Sequence, residues 1–441
     1  MSTAISFKHI NKLAIPALIS GISEPILSLT DAAIVGNVDY NATEALAAVG
    51  IVTTFLSMLI WVLGQTRSAL GSIISQYLGG NKLNEVKNLP VQVMFLIVSL
   101  SLVVIALTYP FASQIFRFYN ASQLILDYCV EYYKIRIFGF PFTLLVIAIF
   151  GTFRGLQNTF YPMVIATVGA VFNIILDVIL VYGLWDIIPA MHIKGAAYAS
   201  VIAQILMALM AFYFLFKKTT IPLRINLPLN KEVKRFSLMV ANLFVRTIAL
   251  NVTLYLGTSY STALGDSYIA AYTIAINLWF LGAFVIDGYA GAGGILSGKL
   301  LGENNYSLLL KLGNTLIKYG LVIGLILMLF GGIFYYSIGQ IFTKDQKVLE
   351  YFYDIFWIVL IMQPICAIAF IYDSIFKGLG RMRTLRDLLL FSTFLVFTPV
   401  LYLLDFLDWK LYAVFTALFA WMLARSFPLV YIFRTTFKKL S

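Results

Sequence analysis

The chain has 441 residues, of which 61% are hydrophobic and only 12% charged, and it carries a formal net charge of +11 at pH 7; its mean hydropathy is +0.91. Soluble domains carry about 25% charged residues, so this composition excludes a water-soluble enzyme. Its apolar runs of about 20 residues or more are continuous rather than alternating, which excludes a β-barrel and predicts a polytopic α-helical membrane protein.

The opening stretch MSTAISFKHINK lacks the short apolar core and cleavage site of a signal peptide, so Leu13 begins the first span. Apolar runs then predict spans over 13–36, 45–78, 90–112, 125–156, 160–184 and 195–216. A second set follows over 236–262, 267–301, 308–341, 348–378, 387–405 and 411–436. The expected fold is all-α integral membrane, with twelve transmembrane helices in two six-helix lobes, 1–216 and 236–441, joined by a basic linker at 217–235. With both termini inside, the inner tails and loops hold 15 Lys and Arg and the outer loops 5. That is the positive-inside distribution, and it explains the net charge without nucleic acid as a partner. The linker is the most basic segment, with Lys217, Lys218, Arg224, Lys231, Lys234 and Arg235, which places it in the cytoplasm.

Charges at bilayer depth cost about 2.5–3.5 kcal/mol on insertion scales, so each asks for a reason. The first span carries Glu24 and Asp31, near one face two turns apart, together with Pro16 and Pro25 as sites for bending. Glu24 reads as a capped or paired residue near one leaflet, whereas Asp31 stands among apolar neighbours with no base nearby. Asp127, Glu131, Lys134 and Arg136, at the start of span four, have ordinary salt-bridge spacing.

Span five contains VFNIILDVILVYG, which stacks Asn173 and Asp177 at i, i+4 within Val, Ile, Leu and Phe. An ionised Asp beside an amide oxygen offers hard ligands to a cation, and a desolvated acid can instead load and unload a proton. Ser200 and Gln204 form a second i, i+4 polar pair in span six. The second half has Arg246 in span seven, Asp287 at the head of DGYAGAGG in span eight and Asp373 in span ten. These three and Glu24 are candidates for a substrate cavity or a C-lobe charge network, with Arg246 expected to neutralise Asp287. Arg67 and Arg425 are expected to pair or to snorkel to an interface. Cys129 and Cys366 lie in apolar runs, and the two histidines, His9 and His192, sit near span ends. No cofactor, disulfide framework or metal-ligand spacing is indicated beyond Na⁺ as a candidate at Asp31, Asn173 and Asp177.

The chain also repeats itself at an offset of 223 residues. Ala47-Ala48 aligns with Ala270-Ala271, Gly71 with Gly294, Leu78-Gly79 with Leu301-Gly302 and Asn81 with Asn304. Pro141 aligns with Pro364, Phe153 with Phe376 and Gly155-Leu156 with Gly378-Leu379. Six spans per repeat make the halves parallel, related by an axis along the membrane normal, which is a transporter architecture. At the positions of Asn173 and Asp177 the second repeat has Val396 and Val400, so the deep Asn/Asp pair belongs to the first half alone.

EPILSLTDAAIVG in the first span, GFPF followed by FRGLQNT, NIILDVILVYG, GAAYAS, DGYAGAG and YDSIFKGLGRMRT, in this order, resemble a multidrug and toxic compound extrusion (MATE) transporter. The resemblance covers nearly the whole chain and is closest to the branch of the DNA-damage-inducible protein F. It implies a cation-coupled antiporter, driven by H⁺ or Na⁺, that expels organic, often cationic, amphipathic compounds. It places Asp31, Asn173, Asp177 and Ser200 at the coupling site, with Tyr133 as the span-four tyrosine, and Asp287 and Asp373 as the family's C-terminal acids. A monomer in the bacterial cytoplasmic membrane follows from the same resemblance. The alternative function is a flippase for a lipid-linked precursor, which would line its cavity with bases, whereas the deep charges here read as mostly acidic. A membrane enzyme lacks its His, Cys or Ser set, and a channel would need no paired halves with buried acids. Asp31 and Asp177 are expected inside one half, close enough to share a cation.

Overall fold

The computed structural model describes residues 7–38, 41–119, 122–184, 187–222, 224 and 227–440, except the side chains of 23–26, 28, 29 and 32. Within lipid, a backbone without internal hydrogen bonds is prohibitively costly, and the apolar runs duly form helices. The first six are α1 (Phe7–Val35), α2 (Ala42–Gly79), α3 (Leu83–Thr108), α4 (Gln123–Gly155), α5 (Phe160–Tyr182) and α6 (His192–Lys218). The second six are α7 (Glu232–Leu264), α8 (Asp266–Gly302), α9 (Tyr306–Ile333), α10 (Gln346–Gly378), α11 (Met382–Phe406) and α12 (Leu411–Lys438). The 11 helices α2–α12 are long and apolar enough to cross a membrane, and α1, with 29 residues, also has spanning length. Twelve spans in two six-helix lobes are therefore present among the described residues.

Boundaries moved where polar turns were absorbed into helices. α1 starts at Phe7 rather than Leu13, and it is helical through both Pro16 and Pro25. The run expected at 308–341 divides into α9 and a short helix, Tyr335–Phe342. Its counterpart after α3 is Ala112–Arg117, and the two short helices begin at the repeat offset.

The repeat is visible in the backbone. Asn81 and Asn304 both have φ 55, and Gln157 and Gly380 have φ 62 and 73, so the same left-handed corners close the same spans. Small residues let α2 cross α4 at close range: a Cβ on Gly155 would meet Ile74 Cβ at 2.6 Å. The matching Gly378 of α10 lies so near Gly294 of α8 that an added Cβ would fall 1.9 Å from its carbonyl oxygen. One difference is local. Residues Ser392–Phe397 of α11 form a π-helical turn, which takes in one extra residue. Beyond it the register of the repeat moves by one, so Leu401, rather than Val400, is the counterpart of Asp177. It too is apolar and buried, and the asymmetry between the halves remains.

Two compact units result: Ile19–Ile74 with Lys82–Ser237, and Leu238–Ser441 with Met1–Leu18 and Ser75–Asn81. This differs from a division at 1–216, 217–235 and 236–441. The first turns of α1 join the C-terminal unit because Ile10, Leu13 and Ala14 bury among Ala290, Leu309, Leu312 and Phe376. The end of α2 joins it because Gly79 packs directly on the Lys299 carbonyl. The linker belongs to the N-terminal unit: Asn230 donates from its backbone N to Gln92 Oε1 (2.8 Å) and from Nδ2 to the Glu85 carbonyl (2.7 Å).

Candidate coupling site in the N-terminal unit

Glycine sets the approach of α5 and α6. A Cβ on Gly195 would lie 2.4 Å from the Leu180 carbonyl oxygen, so only hydrogen fits where these helices meet. One to two turns further, Ser200 of α6 faces Asn173 of α5. α1 is tied to the same pair, since Tyr182 Oη donates to the Ile34 carbonyl at 2.8 Å. Asp31 is thereby carried into the gap.

The four residues singled out on α1, α5 and α6 come together. Asp31 is 4% exposed, Asn173 2%, Asp177 0% and Ser200 4%. Ser200 Oγ donates to Asp31 Oδ2 at 3.2 Å. Asn173, with its amide oriented to satisfy both ends, donates Nδ2 to Asp31 Oδ1 (3.2 Å) and accepts from the Ser200 backbone N (3.3 Å). Both Asp31 oxygens are thus engaged. The Asp177 carboxyl lies directly against that of Asp31, yet its Oδ1 is buried without a hydrogen-bond partner.

Tyr133 lies elsewhere. Its hydroxyl donates to Thr108 Oγ1 at 2.5 Å, and its ring packs edge-on against Phe55 and Phe116. Successive helical residues diverge by about 100°, and it is Tyr132 that points to the acids. Tyr132 is fully buried, feels the charges of Asp31 and Asp177, and has a hydroxyl without a hydrogen-bond partner. Arg136, one turn on, acts electrostatically on both Tyr132 and Asp177. Its spacing is that of a salt-bridge series, but within that series it is Glu131 that pairs, with Lys194 at 2.6 Å. The i, i+4 spacing of Tyr132 and Arg136 copies that of Asn173 and Asp177, and was the signal available in the sequence. Glu24 falls among the side chains outside the described set.

In the C-terminal unit Arg246 does not pair with Asp287. Its Nη2 donates to Asp373 Oδ1 (2.5 Å), Lys377 Nζ meets Asp373 Oδ2 (2.8 Å), and Arg425 Nη2 lies 3.7 Å from Oδ1. Asp287 of α8 is exposed and reaches Lys377 only through its field. Three bases therefore gather on one acid, against the expectation of mostly acidic deep charge, because Lys377 and Arg425 converge on Asp373 only in space. Arg425 is buried against Trp421 and Phe370 rather than snorkelled to an interface. At the π turn the C-terminal unit has a neutral cluster instead of acids: Thr253 and Thr393 hydroxyls 3.0 Å apart, with Trp421 Nε1 donating to Thr393 at 3.2 Å.

Two repeated six-helix lobes, one carrying paired acids within its helices, define a polytopic helical membrane protein built from an internal repeat. The chain belongs to the MatE family, whose profile matches it twice, over residues 16–179 and 239–403. The two matches start at the spacing of the internal repeat. DNA damage-inducible protein F of Escherichia coli is 25% identical over 393 residues, 87% of this chain and 83% of its own. A Probable multidrug resistance protein NorM of Photorhabdus laumondii is 26% identical over 415 residues, covering 91% and 88%. Against its plant relatives at 30% identity, the chain spans about half of their length (46% and 47%). Among solved structures, that of a MATE protein in a bent conformation superposes with a TM-score of 0.90 at 21% identity, covering 98% of this chain and 96% of the other.

Proposed function

We propose that the protein exports organic, amphipathic compounds by alternating access, in exchange for a coupling cation bound between Asp31 and Asp177. The observation that carries this reading is the contact between two buried carboxyls on separate helices. Two negative charges in low dielectric repel strongly unless a proton or a metal cation sits between them. Cation loading therefore changes the force between α1 and α5, and α1 carries two prolines at which to respond. The donor set favours the proton over Na⁺. Asp31 has both oxygens engaged, Arg136 supplies a resident positive charge, and Asp177 Oδ1 and the Tyr132 hydroxyl are the unpartnered atoms at hand.

The basic linker and the inner loops support both termini in the cytoplasm, with the chain multi-pass in a bacterial cytoplasmic membrane; a monomer is part of the same proposal. The test is efflux of a fluorescent organic cation from proteoliposomes under a pH gradient or a Na⁺ gradient, imposed separately. Gradient-driven efflux is expected in the wild type and lost in Asp31→Asn and Asp177→Asn. Undiminished efflux by Asp31→Asn would remove the coupling role.

A further inference from the structure

The cluster around Asp373 is unbalanced in charge and in hydrogen bonds. Arg246, Lys377 and Arg425 share a single carboxylate whose two oxygens are both taken, Oδ1 by the arginines and Oδ2 by the lysine. Counting exposed Asp287, whose field reaches Lys377, cations still outnumber acids. Two donors are left over: Arg425 Nη1 and Arg246 Nε are buried with no acceptor. Arg425 is 3% exposed, and its guanidinium is held by the rings of Trp421 (4.8 Å) and Phe370 (5.8 Å) rather than by a close ion pair. A planar guanidinium fixed by aromatic faces, with Nη1 unpartnered and Nη2 only loosely held by Asp373, suits capture of a further carboxylate. A network serving only to tie helices together would match its charges, since excess buried charge is strongly unfavourable.

We propose that Arg425, Arg246 and Lys377 form a binding site for the carboxylate of an anionic or zwitterionic organic solute, with the Phe370 and Trp421 rings against its apolar part. The site lies in the C-terminal unit and is separate from the acids of α1 and α5. It rests on reading the chain as a transporter of organic solutes and adds the charge class of one group on the cargo. Asp373 orients the three bases and, with Asp287, limits how firmly an anion is held.

The test is equilibrium binding of benzoate to the purified full-length protein in detergent, with benzamide as its uncharged counterpart and chloride as an inorganic competitor. Benzoate is expected to bind at least tenfold more tightly than benzamide. Arg425→Gln should weaken it at least tenfold, and Arg425→Lys, which keeps the charge but not the fork, by an intermediate factor. Asp287→Asn should tighten it a few-fold by removing an opposing charge. No benzoate binding, equal binding of benzamide, or displacement by chloride as tight as by benzoate itself overturns the proposal. Should Arg425→Gln not fold, wild-type affinity in Arg425→Lys does the same. No gradient is involved, so Asp31→Asn is expected to bind benzoate as the wild type does. Loss of benzoate binding with coupled efflux intact counts against this site alone, and the reverse counts against the coupling reading alone.

Discussion

Tyr132 and Asp177, on α4 and α5, leave a hydroxyl and a carboxyl oxygen without hydrogen-bond partners in one buried site. Groups so placed normally find partners, because an unsatisfied buried polar atom costs about 1–3 kcal/mol. Beside Asp31, these two atoms can exchange hydrogen bonds as a proton moves between the acids. Tyr132→Phe is therefore expected to leave folding intact, or even to raise stability slightly, while slowing gradient-driven efflux by about tenfold, the effect of about 1.4 kcal/mol. Tyr133→Phe is its control: it removes the bond to Thr108, should lower stability by about 1 kcal/mol, and should leave coupling untouched. Efflux rates of the two variants at matched protein levels decide the matter.

Removing Asp373 strands three bases in the C-terminal unit. Asp373→Asn is expected to cost about 3–5 kcal/mol, the penalty for an uncompensated buried charge. Asp287→Asn, at an exposed position, should shift stability by less than about 0.5 kcal/mol. Cys129 and Cys366 are both free and fully buried, so a thiol-reactive dye reports unfolding directly. Equal melting temperatures for the two variants would contradict the charge arrangement.

The corner shared by Gln157 and Gly380 gives a test of the repeat. Left-handed backbone costs a residue with a Cβ about 1–2 kcal/mol, so Gly380→Ala (φ 73) should destabilise by that amount. Gly50→Ala, in α2 with no atom within 4 Å of the added Cβ, should instead stabilise by up to about 1 kcal/mol. The sign of the two melting shifts is the readout.

Orientation is accessible to labelling. A cysteine at Lys231, introduced at the end of the linker, is expected to react with a membrane-impermeant thiol reagent only after the cell is opened. Reaction in intact cells would invert the topology.

Hydropathy alone determined much of this protein. Twelve spans and the place of Asp31, Asn173, Asp177 and Ser200 on their helices follow from hydropathy and the i, i+4 period, because lipid forces every apolar run to be a helix. The parallel repeat follows from residues recurring at an offset of 223. The division into compact units did not follow, since the packing of Ile10, Leu13 and Gly79 depends on partners hundreds of residues away. The choice of Tyr132 over Tyr133 needed the rotation of α4 about its own axis, which neighbouring apolar residues do not encode. Charge pairing was decided only in three dimensions as well. Arg246 had two candidate acids of the same chemistry, Asp287 and Asp373, and only the tertiary structure buries Asp373 against Arg246 and leaves Asp287 exposed. Sequence sets which groups must leave water; tertiary packing sets which of them meet, because hydrogen bonds and ion pairs act over a few ångströms and hydropathy has no direction.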